Sequence, residues 1–369
     1  MTRKVPLMLS MSKHAIAFSA TCKSARYTFS KNLPDRSPDN EVLARQIKAI
    51  MKKLLLCLIY ASLLLVCDNA AAQQRIAASY PGIAGYNIPF WVALDTGEFK
   101  KLGLEVDPVL ISGGSKSMQA LLSGGLDFAH TSGGVPVQAS LSGADVTIVG
   151  TASNSMSAGV IAAKEIRSYQ DLKGKKIGIA SFGGNNDIGL RFAFKKNGVN
   201  ADKDVTFLQL GGERNRLTAL ERGVISATIM SPPGLFVAEA QGFSRLGDLN
   251  AMGMRYPELS IVVRKRDLKE RRDLVRRYLR AYLESVRAMK TNREATLRVI
   301  EKYIHVGSKA EAIKTYDYFV KSISDTLRTE REGLTEFLAT LEPKMPGASK
   351  RNPNDFVDES VLEEVLKGR

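Results

Sequence analysis

Apolar positions along this chain follow two alternating rhythms. Short apolar runs with strand-like composition give way to longer stretches with apolar residues at helical spacing, and Gly-, Ser- and Asn-rich turns separate them. Arg75 to Ser79 reads as a strand, followed by a polar, Gly-rich loop from Tyr80 to Asn87. A helix is expected from about Ile88 to Leu102, with Gly103 just past its end, where a left-handed backbone is common. Leu104 to Leu110 is a second strand, Ser112 to Ser115 a turn, and Lys116 to Leu122 a helix. The run from Gly124 leads into a third strand around Phe128 and Ala129. Ser132-Gly133-Gly134 opens the next helix, and Val146 to Val149 is a fourth strand. Strands alternating with helices predict a largely parallel sheet covered on both faces.

The pattern then restarts. Ile177 to Ala180 is a strand, Ser181 to Asn186 a second Gly-rich turn, and Asp187 to Lys196 a helix. Val205 to Gln209 and Gly223 to Met230 are further strands. A helix starts at Glu213 between them, and another follows Ser231-Pro232-Pro233 to about Gln241. Two α/β units with one grammar predict two lobes with a cleft between them, and ligands of open α/β sheets bind beyond the carboxyl ends of the strands. From about Asp267 to the end the spacing is helical, as in Val275, Tyr278, Leu279, Tyr282, Leu283 and Val286. These helices are expected to cover the first lobe rather than form a third domain.

The segment starting at Met51 obeys neither rhythm. Lys52 and Lys53 precede an apolar run from Leu54 to Val66, and Ala70-Ala71-Ala72 supplies small residues after it. Basic start, apolar run and small-residue exit, in that order, predict an export signal over residues 51–72 with cleavage before Gln73. The run is short for a bilayer core of about 30 Å. Residues 1–50 are basic and Ser-rich without a sustained apolar period. They are read as an over-extended or disordered leader, with a genuine cytoplasmic or transit-like extension as the rival. Val66 stands before Cys67, where lipid attachment favours a small residue, so a soluble exported form is expected over a lipid-anchored one.

Composition narrows the chemistry. The chain has 369 residues, 44% hydrophobic and 25% charged, enough for two globular domains. Its three cysteines, Cys22, Cys57 and Cys67, all precede Gln73. The chain beyond that point has no thiolate nucleophile, disulfide or cysteine metal ligand. His14, His130 and His305 are scattered without metal-ligand spacing, and neither a P-loop nor a nucleophile elbow is present. No catalytic residue, cofactor or metal is therefore expected. The net charge is +15, and residues 1–72 hold 11 Lys/Arg against 4 Asp/Glu, leaving about +8 beyond them. Those charges spread over helical faces such as Arg264-Lys265-Arg266. That suits solvated faces and a field attracting anions better than a nucleic-acid surface.

Polar and small residues gather at the strand-to-helix turns. Ser115, Ser132, and Asn185 or Asn186 fall at helix N-termini, which present unpaired N–H groups and a partial positive charge and so suit an anion. Gly114, Gly133 and Gly184 allow close approach of the backbone. Taken singly, each is as readily an ordinary cap or tight turn; as a set they mark a ligand site. Ser231 and Pro232 either line the cleft or stiffen a turn. Arg214 either reaches an anion or starts a helix in solvent. His130 either faces the cleft or packs at its strand end.

Several segments together resemble a family. Gly85-Tyr86-Asn87-Ile88-Pro89-Phe90-Trp91-Val92-Ala93, Gly103-Leu104-Glu105-Val106, SGGSKSMQALLSGGLDFA, DLKGKKIGIASFGG, ALERGVISATIMSPP and RRYLRAYLESVRAMKTNREATL are similar, in order, to bacterial nitrate/sulfonate/taurine-type substrate-binding proteins. The likeness covers about residues 75–369. It implies a type II periplasmic-binding-protein fold of the α/β class, two α/β domains joined by two hinge crossings. The first lobe would take residues 75–160 plus 265–369, and the second 161–264. It also places Tyr86 and Asn87 over the ligand. The implied function is capture of a small anionic or zwitterionic solute in the periplasm, by hinge closure, for the membrane subunits of an ABC importer. The protein would act as a monomer, without nucleic acid.

Thiamine-pyrimidine synthases share this fold and part of the pattern. Those acting on their own histidine need a cysteine-rich iron motif, which the chain beyond Gln73 lacks. A binding protein delivering a thiamine precursor is the alternative that keeps the mechanism and changes the ligand. A sensory ligand-binding module would need an attached transmembrane helix, and no apolar run follows the lobes.

Overall fold

The computed structural model describes residues 45–55 and 73–368. They belong to two units, divided between Ala71 and Ala72. In the first, residues 45–55 form a helix that runs through Met51, with Ile47, Ile50, Met51, Leu54 and Leu55 exposed. The remainder of the expected signal, 56–72, and the leader before residue 45 lie outside the described residues.

The second unit contains two five-stranded sheets. The first is built from β1 (Gln74–Tyr80), β2 (Leu104–Leu110), β3 (Phe128–Thr131), β4 (Val146–Ser155) and β10 (Arg255–Arg264), in the order β2-β1-β3-β10-β4. The second takes β5 (Gly159–Ala162), β6 (Lys176–Ile179), β7 (Thr206–Gln209), β8 (Ala227–Met230) and β9 (Ser244–Asp248), in the order β7-β6-β8-β5-β9. The chain passes from the first sheet to the second between β4 and β5 and returns between β9 and β10.

Neither sheet is largely parallel. β1 runs parallel to β2 and β3, but β10 is antiparallel to both β3 and β4. β6 is parallel to β7 and β8, whereas β5 is antiparallel to β8 and β9. The reversed strands are β5 and β10, and both, with the edge strand β9, are missing from the hydrophobic pattern. β5 has only four residues. β10 carries Pro257 and Glu258 among its buried positions, which hides its strand character.

The helices are α1 (Ile88–Asp95), α2 (Glu98–Lys101), α3 (Gly114–Leu122), α4 (Gly134–Leu141), α5 (Asn185–Lys196), α6 (Glu213–Glu221), α7 (Gly234–Ala240), α8 (Lys265–Glu270), α9 (Arg272–Thr291), α10 (Arg293–Ile304), α11 (Lys309–Phe319), α12 (Arg331–Leu341) and α13 (Ser360–Lys367). The single helix expected over residues 88–102 is two. Gly97 sits at φ 73°, which only glycine adopts without strain, and the Thr96 hydroxyl donates back to Val92 O at 2.8 Å.

The carboxyl-terminal helices cover the first sheet. α9 buries Leu274, Val275, Tyr278, Leu279, Tyr282, Leu283, Val286 and Met289, while Asp273, Arg276, Arg280 and Arg287 face solvent. Each large apolar side chain so buried contributes about 1.5–3 kcal/mol. Tyr278 stacks on Phe128 of β3 at 3.7 Å, and its hydroxyl meets His130 Nε2 at 2.8 Å. His130 is fully buried under α9, and desolvation lowers its pKa to about 3. Of the two readings open for this residue, it is the packed strand-end histidine.

Candidate functional site

The loops beyond the carboxyl ends of the strands in both sheets meet. After β1, a one-turn helix Gly85–Asn87 carries Tyr86 and Asn87. Gly85 is required there, because a Cβ would run into the Phe319 ring. Its N–H donates at 3.3 Å to Pro232 O, in the turn after β8. The Tyr86 ring stands edge-on to Phe319 at 6.3 Å. Asn87 is fully buried; its Nδ2 donates to Gly82 O at 2.5 Å, and its Oδ1 has no partner.

The turn after β3 places Ser132 at 4% exposure, with its hydroxyl beside that of Tyr256. Gly133 N donates to Pro257 O at 2.8 Å, and Gly134 N to the Tyr256 hydroxyl at 2.9 Å. In the turn after β6, Gly184 N donates to Ser181 O at 3.2 Å, and the start of α5 separates the two asparagines. Asn186 Oδ1 accepts from Ala180 N at 3.2 Å and so braces its own loop. Asn185 reaches across to β10, donating from Nδ2 to Glu258 O at 3.2 Å and leaving Oδ1 without a partner. Gln138 bridges in the opposite direction, from α4 to Gly183 O at 3.4 Å.

Ser231 is buried, and its N–H donates to Glu213 Oε2 at 3.4 Å. Pro232 supplies the carbonyl that Gly85 meets, and the Pro232–Pro233 peptide is cis. Gly114 is the first residue of α3, where a Cβ would meet Val135 and the Thr131 hydroxyl. Ser115 is exposed. The helix begins at Gly114 rather than Lys116, which turns Ser117 and Met118 inward instead.

Charged residues here escaped the sequence reading. Arg214 is exposed, while Arg216 is 3% exposed. Arg216 donates to Thr228 Oγ1 at 3.1 Å, Gly211 O at 2.6 Å and Ile229 O at 3.2 Å, and lies 3.9 Å from Glu213 Oε2. Helical spacing could have chosen it, since Arg216 shares a face with the buried Ala219 and Leu220. Glu258 is 2% exposed; its oxygens accept from Ser157 N and Ser153 Oγ, each at 3.1 Å. Nothing local marks it, because the serines that hold it lie about a hundred positions earlier in the chain.

Burial pushes the Glu258 carboxyl up to about 8. It pushes Glu213 up to about 7 against the pull of Arg216. Tyr86 is raised by desolvation and then by the charges of Glu213 and Glu258, so its hydroxyl lies within electrostatic reach of both carboxyls. A further link joins the lobes at the rim, where the Tyr318 hydroxyl of α11 donates to Asp248 Oδ2 of β9 at 2.6 Å. Among the described residues, no group of three His, Cys, Asp or Glu is placed to hold a metal ion, and no helix is long and apolar enough to cross a membrane.

Comparison with known proteins gives this arrangement a context. The family model described as NMT1/THI5 like matches residues 85–296. A protein of Brucella abortus (strain 2308), whose name provisionally assigns it binding and names no ligand, is 34% identical over 141 residues. Those residues are 37% of this chain and 43% of that protein, so the match spans less than half of the relative's length. A solved structure from Bordetella bronchiseptica RB50 superposes with a TM-score of 0.72 at 19% identity, over 80% of this chain and 97% of that one. The periplasmic aliphatic sulphonate-binding protein of Escherichia coli superposes with a TM-score of 0.62 at 17% identity, over 79% and 99%. At these identities the likeness is one of fold, a two-lobed α/β periplasmic-binding-protein architecture.

Proposed function

The chain belongs to the NMT1/THI5-like family, and from that premise we propose that it is an exported solute-binding protein that captures a small anionic or zwitterionic molecule between its lobes and delivers it to an ABC importer. It binds rather than transforms its ligand. The lobes are taken as residues 75–160 plus 265–369 and 161–264, with export through the signal at 51–72.

One observation carries the reading. Asn87 Oδ1 and Asn185 Oδ1 are buried without hydrogen-bond partners, and they sit at the turns where the two sheets face each other. An orphaned buried polar atom costs about 1–3 kcal/mol, so such atoms mark a place for a molecule that pairs with them. Tyr86, Gly114, Gly133, Gly184, Ser231 and Pro232 complete the proposed site by shape and close backbone approach, and Asn186 and Ser115 flank it. The ligand meets one lobe first, and closure of the second adds the contacts that favour the closed state. A sulphonate-binding protein of the same fold supports an oxyanion-bearing ligand.

The test is a thermal-shift screen across sulfonates, nitrate, aromatic carboxylates and pyrimidines, with small-angle scattering on each hit. The expected result is a hit that also lowers the radius of gyration. A hit that stabilises without compaction would overturn capture by closure.

A further inference from the structure

Residues 45–55 form a helix in the unit that does not contain the sheets, and every one of them is exposed. Their side chains sort by type around the helix axis. At about 100° per residue, Ile47, Ile50, Met51, Leu54 and Leu55 fall in one arc of about 140°. Arg45, Lys48, Lys52 and Lys53 fall in the opposite arc, of about the same width, which they share with Ala49. Gln46 lies at the border, and the segment holds no acidic residue.

A helix this short is marginal in water by itself, because its stability normally comes from packing an apolar face. Here that face is open: Ile47, Ile50, Met51, Leu54 and Leu55 are 50–64% exposed. Charge complementarity selects what covers it. An anionic bilayer satisfies both arcs at once, since acyl chains take the apolar side chains while headgroup phosphates meet the basic ones. Ile47 and Ile50 of the apolar arc, and Arg45 and Lys48 of the basic arc, precede Met51. A signal that starts at Met51 needs only Lys52, Lys53 and the apolar run from Leu54. It therefore leaves the sorted residues before Met51 without a role.

We propose that residues 45–55 are a lipid-reading helix that lies in the plane of an anionic bilayer surface, and that the residues before Met51 complete its two faces. The partner is the lipid surface, recognised by its negative charge. The inference extends the export reading of residues 51–72, placing a surface-binding step ahead of the apolar run.

Flotation of the full chain with lipid vesicles tests this, using protein made by cell-free synthesis so that the segment is retained. One vesicle set is phosphatidylcholine alone, and in the other about one-third of the lipid is phosphatidylglycerol. The wild type should bind the anionic vesicles about ten-fold or more tightly, each basic residue at the surface being worth about five-fold. Arg45→Gln with Lys48→Gln should lose about ten-fold or more on anionic vesicles and little on phosphatidylcholine. Ile47→Gln with Ile50→Gln should lose about ten-fold on both. These variants leave the apolar run from Leu54 to Val66 intact. Variants that bind like the wild type would therefore overturn the proposal by assigning attachment to that run. Equal wild-type binding to the two vesicle sets would remove charge recognition and overturn it as well. So would a wild type that ignores both vesicle sets and instead associates with its own copies through this face. The export reading fails on a separate readout, an exported protein whose first residue is not Gln73.

Discussion

The side-chain amide of Asn185, at the first position of a helix on the second sheet, donates to the backbone carbonyl of Glu258 on a strand of the first sheet at 3.2 Å. One residue thus ties the lobes together and leaves an acceptor oxygen free beside them. Replacing it by alanine removes both features without a steric cost. Asn185→Ala should weaken solute affinity about ten-fold, by calorimetry, with a melting-temperature change of less than about 3 °C.

Tyr318 makes another inter-lobe link, donating to Asp248 Oδ2 and standing edge-on to Phe236 at 6.1 Å. Tyr318→Phe keeps the ring contact and removes a charge-assisted hydrogen bond worth about 1.5–3 kcal/mol. Since that bond exists only when the lobes meet, its loss should shift the population toward the open form. Scattering should report a larger radius of gyration without ligand, and solute affinity should fall about five-fold or more.

Glu258 should make stability fall as the solution becomes alkaline. Its folded pKa, about 8, lies above the ordinary carboxyl value, so the folded protein holds a proton the unfolded chain has released. The contribution is complete below about pH 4.5 and is lost as pH rises toward 8, on the order of 4 kcal/mol across that window. Glu213 acts the same way up to about 7. His130, lowered to about 3 by burial, acts oppositely, its contribution being lost as pH falls below about 6.5. In Glu258→Gln the amide oxygen accepts from Ser157 N and the amide nitrogen meets Ser153, so melting temperatures should fall less between pH 6.5 and 8 than in the wild type. Parallel curves for the two proteins would show that this carboxyl does not control the slope.

Gly85→Ala inserts a methyl against the Phe319 ring at the point where the first loop meets the Pro232 turn. Overpacking of this kind costs about 1–3 kcal/mol. Denaturant unfolding should show that loss, and solute affinity should fall with it, because the displaced turn carries Tyr86 and Asn87.

Much of the fold was legible in the sequence, for identifiable reasons. β1, β2 and β6 are apolar runs bounded by glycine turns, and α9 repeats its apolar residues faithfully for twenty positions. The antiparallel strands escaped because β5 is short and β10 carries Pro257 and Glu258 inside an apolar run. At the site, Asn185 was legible as a polar residue opening a helix after a glycine turn, and Ser132 as a polar residue in the turn before one. Ser115 and Ser117 were harder to separate, because moving a helix start by two residues exchanges the inward and outward faces. Glu258 was invisible for a different reason. Its burial depends on serines delivered from β4 and the crossing that follows it, which no local pattern contains.

The central claim is that one small molecule is held between the two lobes, at the turns that join strands to helices. Native mass spectrometry tests it most directly, applied to the wild type and to Asn185→Trp, each mixed with the strongest solute from the screen. The account predicts a one-to-one adduct on the wild type and none on Asn185→Trp, with the same charge-state distribution for both proteins. Equal adducts on the two proteins, or no adduct on either, would contradict it.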